Sequence, residues 1–111
     1  MITEAPTFID LVFAPHPRAI GGGFQAIHEF DNGLILSVVC GTGTGSIKRT
    51  PGPEQSHEDY ESYELAVLDR YGNFITGKFC KDSDEGSICS YLNPDEISDV
   101  MYRVYLNDTL R

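Results

Sequence analysis

The stretch Leu92-Asn93-Pro94-Asp95-Glu96-Ile97 constrains the fold more tightly than any other six residues of the chain. At a helix start, the Asn93 side chain can accept a bond from an orphan amide, and Pro94 lacks the donor that would otherwise go unpaired. Glu96 reaches back to close a capping box. Leu92 and Ile97 stand at the two positions of a hydrophobic staple. Ile97, Val100, Met101 and Val104 then recur at i, i+3, i+4 and i+7, forming one apolar stripe. Asp95, Glu96 and Asp99 gather where the helix dipole favours acids. The pattern predicts an amphipathic helix from Pro94 to about Leu106, which needs an apolar surface to cover.

The rest of the chain supplies that surface as β-structure. Phe24 to Phe30 and Leu34 to Cys40 are extended runs joined by Asp31-Asn32-Gly33, a tight hairpin signal because Asn and Gly tolerate positive φ. Leu34 to Cys40 is apolar on both faces, as a central strand would be. Ser62 to Asp69 and Phe74 to Cys80 repeat the arrangement around Arg70-Tyr71-Gly72-Asn73. Thr7 to Phe13 reads as one more extended run, stopped by Pro15-His16-Pro17 and Gly21-Gly22-Gly23. The expected fold is α+β: a four-stranded antiparallel sheet of two hairpins packed on one C-terminal helix, with Thr7–Phe13 as a fifth strand. At 111 residues the chain forms one domain. Its parts are an N-terminal arm or edge strand (1–22), a first hairpin (23–40), a long loop rich in Gly, Pro and acids (41–61), a second hairpin (62–80) and the helix (93–106).

Seventeen acidic against eight basic residues give a formal charge of −9. Such a field repels nucleic acid and anionic membranes and attracts basic protein surfaces. The start of the chain has no basic segment leading into an apolar one, and no apolar run approaches the ~20 residues of a membrane-spanning helix. These features predict a cytoplasmic protein that binds neither nucleic acid nor membrane directly. Cys40, Cys80 and Cys89, an odd number in no regular framework, fit a reducing compartment better than a disulfide scaffold. Cys80 and Cys89 are spaced to meet across a hairpin-like loop.

Gly41, Gly43 and Gly45 followed by Lys48 and Arg49 suggest a phosphate cradle. A phosphate loop needs Gly-Lys-Ser/Thr opening a helix, whereas here Pro51-Gly52-Pro53 forbids one. The five residues remain an alternative small-ligand site, for instance for a nucleotide signal. His16, His28 and His57 lack metal-binding spacing, and Asp82 to Ser87 departs from a calcium loop in its glycine and its last ligand. Neither a metal nor a cofactor is expected. Cys40, His28 and Asp31 are close in sequence but no further feature marks them as a catalytic set, and the chain reads as a non-enzyme.

The acids cluster at Glu54 to Glu64, at Asp82 to Glu85 and at Asp95 to Asp99. Helix chemistry accounts for the last group. Nothing local accounts for Glu54, Glu58, Asp59, Glu61, Asp82, Asp84 and Glu85, which are the expected contacts to a host protein with a basic surface. Tyr102 and Tyr105 on the helix suggest a homodimer.

The segments FDNGLILSVVCGTGTGS, YELAVLDRYGNFIT and SYLNPDEISDVMYRV, spanning Phe30 to Val104, resemble a group of small phage and prophage accessory proteins. Their shared pattern is F-x-NG-φ-φ-SVV, then YE-φ-AV-φ, then a closing YL-x-x-E helix. Asn93-Pro94 replaces the usual Thr/Ser helix start while keeping its capping chemistry. The resemblance implies a phage origin and a size class that includes inhibitors of host enzymes and of bacterial immunity, anti-CRISPR proteins among them. It carries over no site residue.

Overall fold

The computed structural model describes residues 5–16, 23–50, 52, 56–81, 83 and 86–107. Six strands form one antiparallel sheet: β1 (Ala14–Pro15), β2 (Phe24–Glu29), β3 (Ile35–Cys40), β4 (Ile47–Lys48), β5 (Tyr60–Leu68) and β6 (Cys89–Leu92). Their order is β1-β2-β3-β5-β4, with β6 also paired to β5. The one α-helix among the described residues, α1 (Pro94–Leu106), covers one sheet face, so the α+β class holds with six strands in place of four. Asn93 accepts from the Glu96 amide at 2.8 Å, and Glu96 Oε1 accepts from the Asn93 amide at 3.0 Å, which closes the capping box.

Period-2 alternation sorts the strands into two faces. Ala26 opposes Val38, which opposes Leu65, and Leu36 opposes Val67. All five are buried, together with Ile97, Val100, Met101 and Val104 from α1. The helix therefore lays its apolar stripe on this inner face. β3 is central, as its two-sided apolarity requires. The first hairpin also clamps the helix end: Asn32 Nδ2 donates to Asn107 O at 2.6 Å and to Val104 O at 2.8 Å, the latter carbonyl also accepting from the Asn107 amide at 3.1 Å.

Three segments differ from the sequence expectation. Thr7–Phe13 is not a strand: Phe8–Asp10 forms a 3₁₀ turn in which Asp10 Oδ2 accepts from the Thr7 amide at 2.7 Å. Local side-chain capping outcompetes the apolar alternation there, and the Phe8 amide donates to Ser98 Oγ of the helix at 3.0 Å.

The second hairpin makes its turn, with the Asp69 carboxylate accepting from Tyr71 and Asn73 amides. Its return arm then pairs only through the bridge Leu68–Phe74. Thr76 is the cause. Its buried hydroxyl accepts from the Val67 amide at 2.9 Å, taking the place of a strand carbonyl, and donates to Ser87 O at 2.7 Å. The chain turns away as the 3₁₀ turn Thr76–Lys78, and β6 takes the vacated edge of β5 through Tyr63–Leu92 and Leu65–Cys89. Cys80 and Cys89 form a disulfide, so the expectation of three reduced thiols is corrected. The 3₁₀ turn and β6 bring the two cysteines to one edge, so that they meet across the loop between them as their spacing allows.

The long loop after Cys40 carries short regular elements among its described residues. It contains β4 and the 3₁₀ turn His57–Asp59, and the Arg49 amide donates to Asp59 O at 2.8 Å.

Candidate functional site

β3 and β4 flank β5, so the connection between them must cross β5, and the glycine-rich segment makes that crossing as a strap. Every described bond of its amides is internal. The Gly41 amide donates to Ser46 Oγ at 3.0 Å, Thr44 N to Gly41 O at 3.2 Å, and Gly45 N to Glu64 Oε1 at 2.8 Å. The last bond decides the chemistry: where a phosphate cradle would hold an anion, the strap holds the protein's own carboxylate. Gly41 and Gly43 sit at φ 140° and 86°, which favour glycine. Gly45 is required for another reason, because its Cα lies against the Ser90 side chain. The strap also fixes β6, since the Tyr91 amide donates to Gly45 O at 2.8 Å. Tyr91 adopts φ 60°, rare for a bulky residue, while its neighbours Cys89 and Leu92 are buried.

Lys48 and Arg49 do not line the strap. They sit on and just after β4, facing the acidic half of the same loop: Arg49 Nε donates to Glu58 O at 3.2 Å. The structure thus folds together the basic and acidic parts that the sequence keeps apart. Among the expected acidic contacts, Glu58 and Glu61 are exposed. Asp59 is engaged, with its carboxylate accepting from the Ser56 amide at 3.0 Å in a capping box. Glu54, Asp82, Asp84 and Glu85 lie outside the described residues. Asp95, Glu96 and Asp99 are exposed on the first turns of α1.

Beside these acids lies an aromatic nest that the sequence reading did not assemble. The His57 ring stacks on Phe13 at 4.0 Å and 15°, and Phe8 and Phe13 both contact Tyr63. Tyr63 Oη donates to His57 O at 2.7 Å. Burial lowers the His57 pKa from 6.5, against an opposing pull from Glu58. Burial also pushes Tyr63 from 10.0 up to about 12, helped by Cys40 and Glu58 and opposed by Arg49.

Both shifts make stability depend on pH with opposite signs. An unfolded histidine binds a proton more readily than His57 does, so stability is full above pH 6.5 and declines as pH falls from there toward the lower folded value. An unfolded tyrosine ionises first, so stability is full below pH 10.0 and declines as pH rises toward about 12. Urea midpoints measured across pH should show both limbs, with His57→Gln flattening the acid limb and Tyr63→Phe the alkaline one.

The thiol–imidazole pair has no support in the register. Cys40 opposes Phe24 and His28 opposes Leu36, so the two residues stand four positions apart along the sheet, about 13 Å. Cys40 is fully buried, and His28 packs edge-on against Phe30 with ring centres 4.8 Å apart. Asp31 is exposed in the hairpin turn. Among the described residues no group of three His, Cys, Asp or Glu side chains is placed to hold a metal ion, and no helix is long and apolar enough to cross a membrane.

A groove of about 540 Å³ opens between the 3₁₀ turn Thr76–Lys78 and α1. Lys78, Lys81 and Arg103 line it together with Glu96 and Asp99, and Cys80 of the disulfide forms part of its wall. Arg103 Nη1 ties the two sides by donating to Phe79 O at 2.9 Å. The sequence carries one half of this groove legibly, since Glu96, Asp99, Val100 and Arg103 follow helical spacing on one face. The other half depends on the turn that Thr76 makes.

Comparison of the chain with protein-family models, with curated proteins and with solved structures finds no match in any of the three.

Proposed function

We propose that this chain is a non-enzymatic binding protein that occupies a basic surface of a partner protein with exposed carboxylates. The partner is a nucleic-acid-handling host protein, in keeping with the resemblance to phage accessory proteins and their anti-defence size class. The observation that carries the reading is the division of labour among the acids. Asp59, Glu64 and Asp69 are committed to bonds inside the fold, whereas Glu58, Glu61, Asp95 and Asp99 stand exposed on ordered elements of a chain with charge −9. Asp82, Asp84 and Glu85 belong to the segment whose ends the Cys80–Cys89 disulfide ties together. Tying the ends of a contact loop lowers the entropy lost on binding. The register that separates Cys40 from His28 supports the non-enzymatic part. The small-ligand reading of Gly41, Gly43, Gly45, Lys48 and Arg49 gains nothing from a strap whose Gly45 amide already holds Glu64.

A tagged pull-down from host lysate at low and high salt, read by mass spectrometry, tests the proposal. The expected result is one basic, nucleic-acid-handling partner, retained at low salt and lost at high salt. Reversal of Asp82, Asp84 and Glu85 to Lys should slow association about tenfold, because these charges act mainly on encounter. No partner at either salt, or unchanged association when Glu58→Lys and Glu61→Lys are added to that triple reversal, overturns the reading.

A further inference from the structure

The groove between the 3₁₀ turn Thr76–Lys78 and α1 gathers charges of both signs and sorts most of them by wall. Lys78 and Lys81 belong to the turn side, and Glu96 and Asp99 to the helix side. Helical spacing would pair Asp99 with Arg103, four residues on. Arg103 instead crosses the groove, with Nη1 donating to Phe79 O at 2.9 Å. Lys81 and Asp99 are exposed, and among the described residues neither has a hydrogen-bond or ion-pair partner. Between the walls, Phe79, Leu92 and Val100 are buried and give the groove an apolar floor.

We propose that this groove binds a small zwitterion with an apolar body, of the size and chemistry of a free dipeptide. Asp99 and Glu96 receive the ammonium, Lys81 and Lys78 receive the carboxylate, and an apolar side chain lies on the floor. A lone anion would meet the carboxylates of the helix wall, and a lone cation the lysines of the turn wall. Only a molecule that carries both charges is complementary to both walls. The volume of about 540 Å³ falls within the roughly 300–1,000 Å³ of small-molecule sites and suits a dipeptide better than a single amino acid.

Both walls are fixed before binding. The Cys80–Cys89 disulfide ties the turn wall to β6, which leads directly into α1, and the Arg103 bond ties the same wall to the helix. Pre-formed walls reduce the ordering that binding requires. The five charged side chains are all exposed, so each ion pair contributes little and Kd is on the order of 1 mM.

This inference does not rest on the partner-binding reading, and its test contains no partner protein. Titration of the ¹⁵N-labelled full chain with L-leucyl-L-leucine to about 10 mM should move the amide resonances of residues 77–81 and 96–103. N-acetyl-leucyl-leucine lacks the ammonium and leucyl-leucinamide lacks the carboxylate, and each should bind about fivefold more weakly. Asp99→Asn should weaken the dipeptide about fivefold and leave the acetylated form unchanged. Lys81→Gln should weaken the dipeptide to the same degree and leave the amide form unchanged. Both substitutions are at exposed positions, and a native amide spectrum checks the fold. Inorganic phosphate at the same concentration should leave these resonances in place. No movement at residues 77–81 and 96–103, equal binding of the dipeptide and its two blocked forms, or phosphate binding there as tightly as the dipeptide overturns the proposal.

Discussion

Gly45→Ala should lower stability by about 3 kcal/mol, near the upper end of what overpacking costs, and shift the thermal midpoint by roughly 10 °C. The added methyl would meet Ser90 Oγ and Ser90 Cβ, and it would come within 3.2 Å of Ser90 Cα. The last of these is backbone, so a rotamer change at Ser90 relieves only part of the clash. The strap cannot simply lift away either. Gly45 holds Glu64 through its amide and the Tyr91 amide through its carbonyl, so moving it breaks contacts on both sides. Ser90→Gly removes the Oγ and the Cβ and should recover much of the loss. A double-mutant cycle between the two sites, read by urea unfolding, should give a coupling of about 2 kcal/mol. Additive effects would mean that the strap is not packed on β6. Gly43→Ala is the informative contrast: its added methyl has open space, and the cost there comes from φ 86° alone, about 1 kcal/mol.

Thr76→Val should cost about 3 to 4 kcal/mol, although it exchanges one hydroxyl for a methyl of similar size. Thr76 is fully buried, and its hydroxyl serves two backbone groups, the Val67 amide and the Ser87 carbonyl. Valine strands both, at about 1–3 kcal/mol for each unsatisfied group. Thr76→Ser keeps both bonds and loses one buried carbon, for about 1 kcal/mol. Amide hydrogen exchange should locate the damage: the Val67 amide loses protection first in Thr76→Val and keeps it in Thr76→Ser. Equal losses in the two variants would show that packing, and not the hydroxyl, holds this corner. Because β6 occupies the edge that Thr76 vacates, the valine variant should also loosen the Lys78–Lys81 wall of the groove.

These two residues mark where sequence reasoning reaches its limit. The helix Pro94–Leu106 and its cap are local: every group that decides them lies within a few residues, and the structure reproduces both ends. The first hairpin is local for the same reason, with Asp31-Asn32-Gly33 setting the turn and alternation setting the faces. The return arm after Asn73 has the composition of a strand and fails to pair because one threonine side chain, buried by distant residues, takes the partner's place. Thr7–Phe13 has strand-like alternation and yields to a Thr–Asp cap. Both are contests between a weak pattern and a specific side-chain bond.

The candidate sites divide in the same way. That the chain is acidic, and which acids suit a helix start, is written in composition and spacing. That Asp59 and Glu64 are committed, that Arg49 faces Glu58, and that Cys80 reaches Cys89 depend on contacts across the loop and the sheet edge. The sequence by itself determined the helix, the central hairpin, the α+β class and the net charge, because short-range capping, turn chemistry and periodicity decide them. Only the tertiary structure decided which glycine packs against a side chain and which carboxylates stay exposed. Those outcomes follow from the β3–β5–β4 crossing, where residues far apart in sequence compete for one amide or one patch of surface.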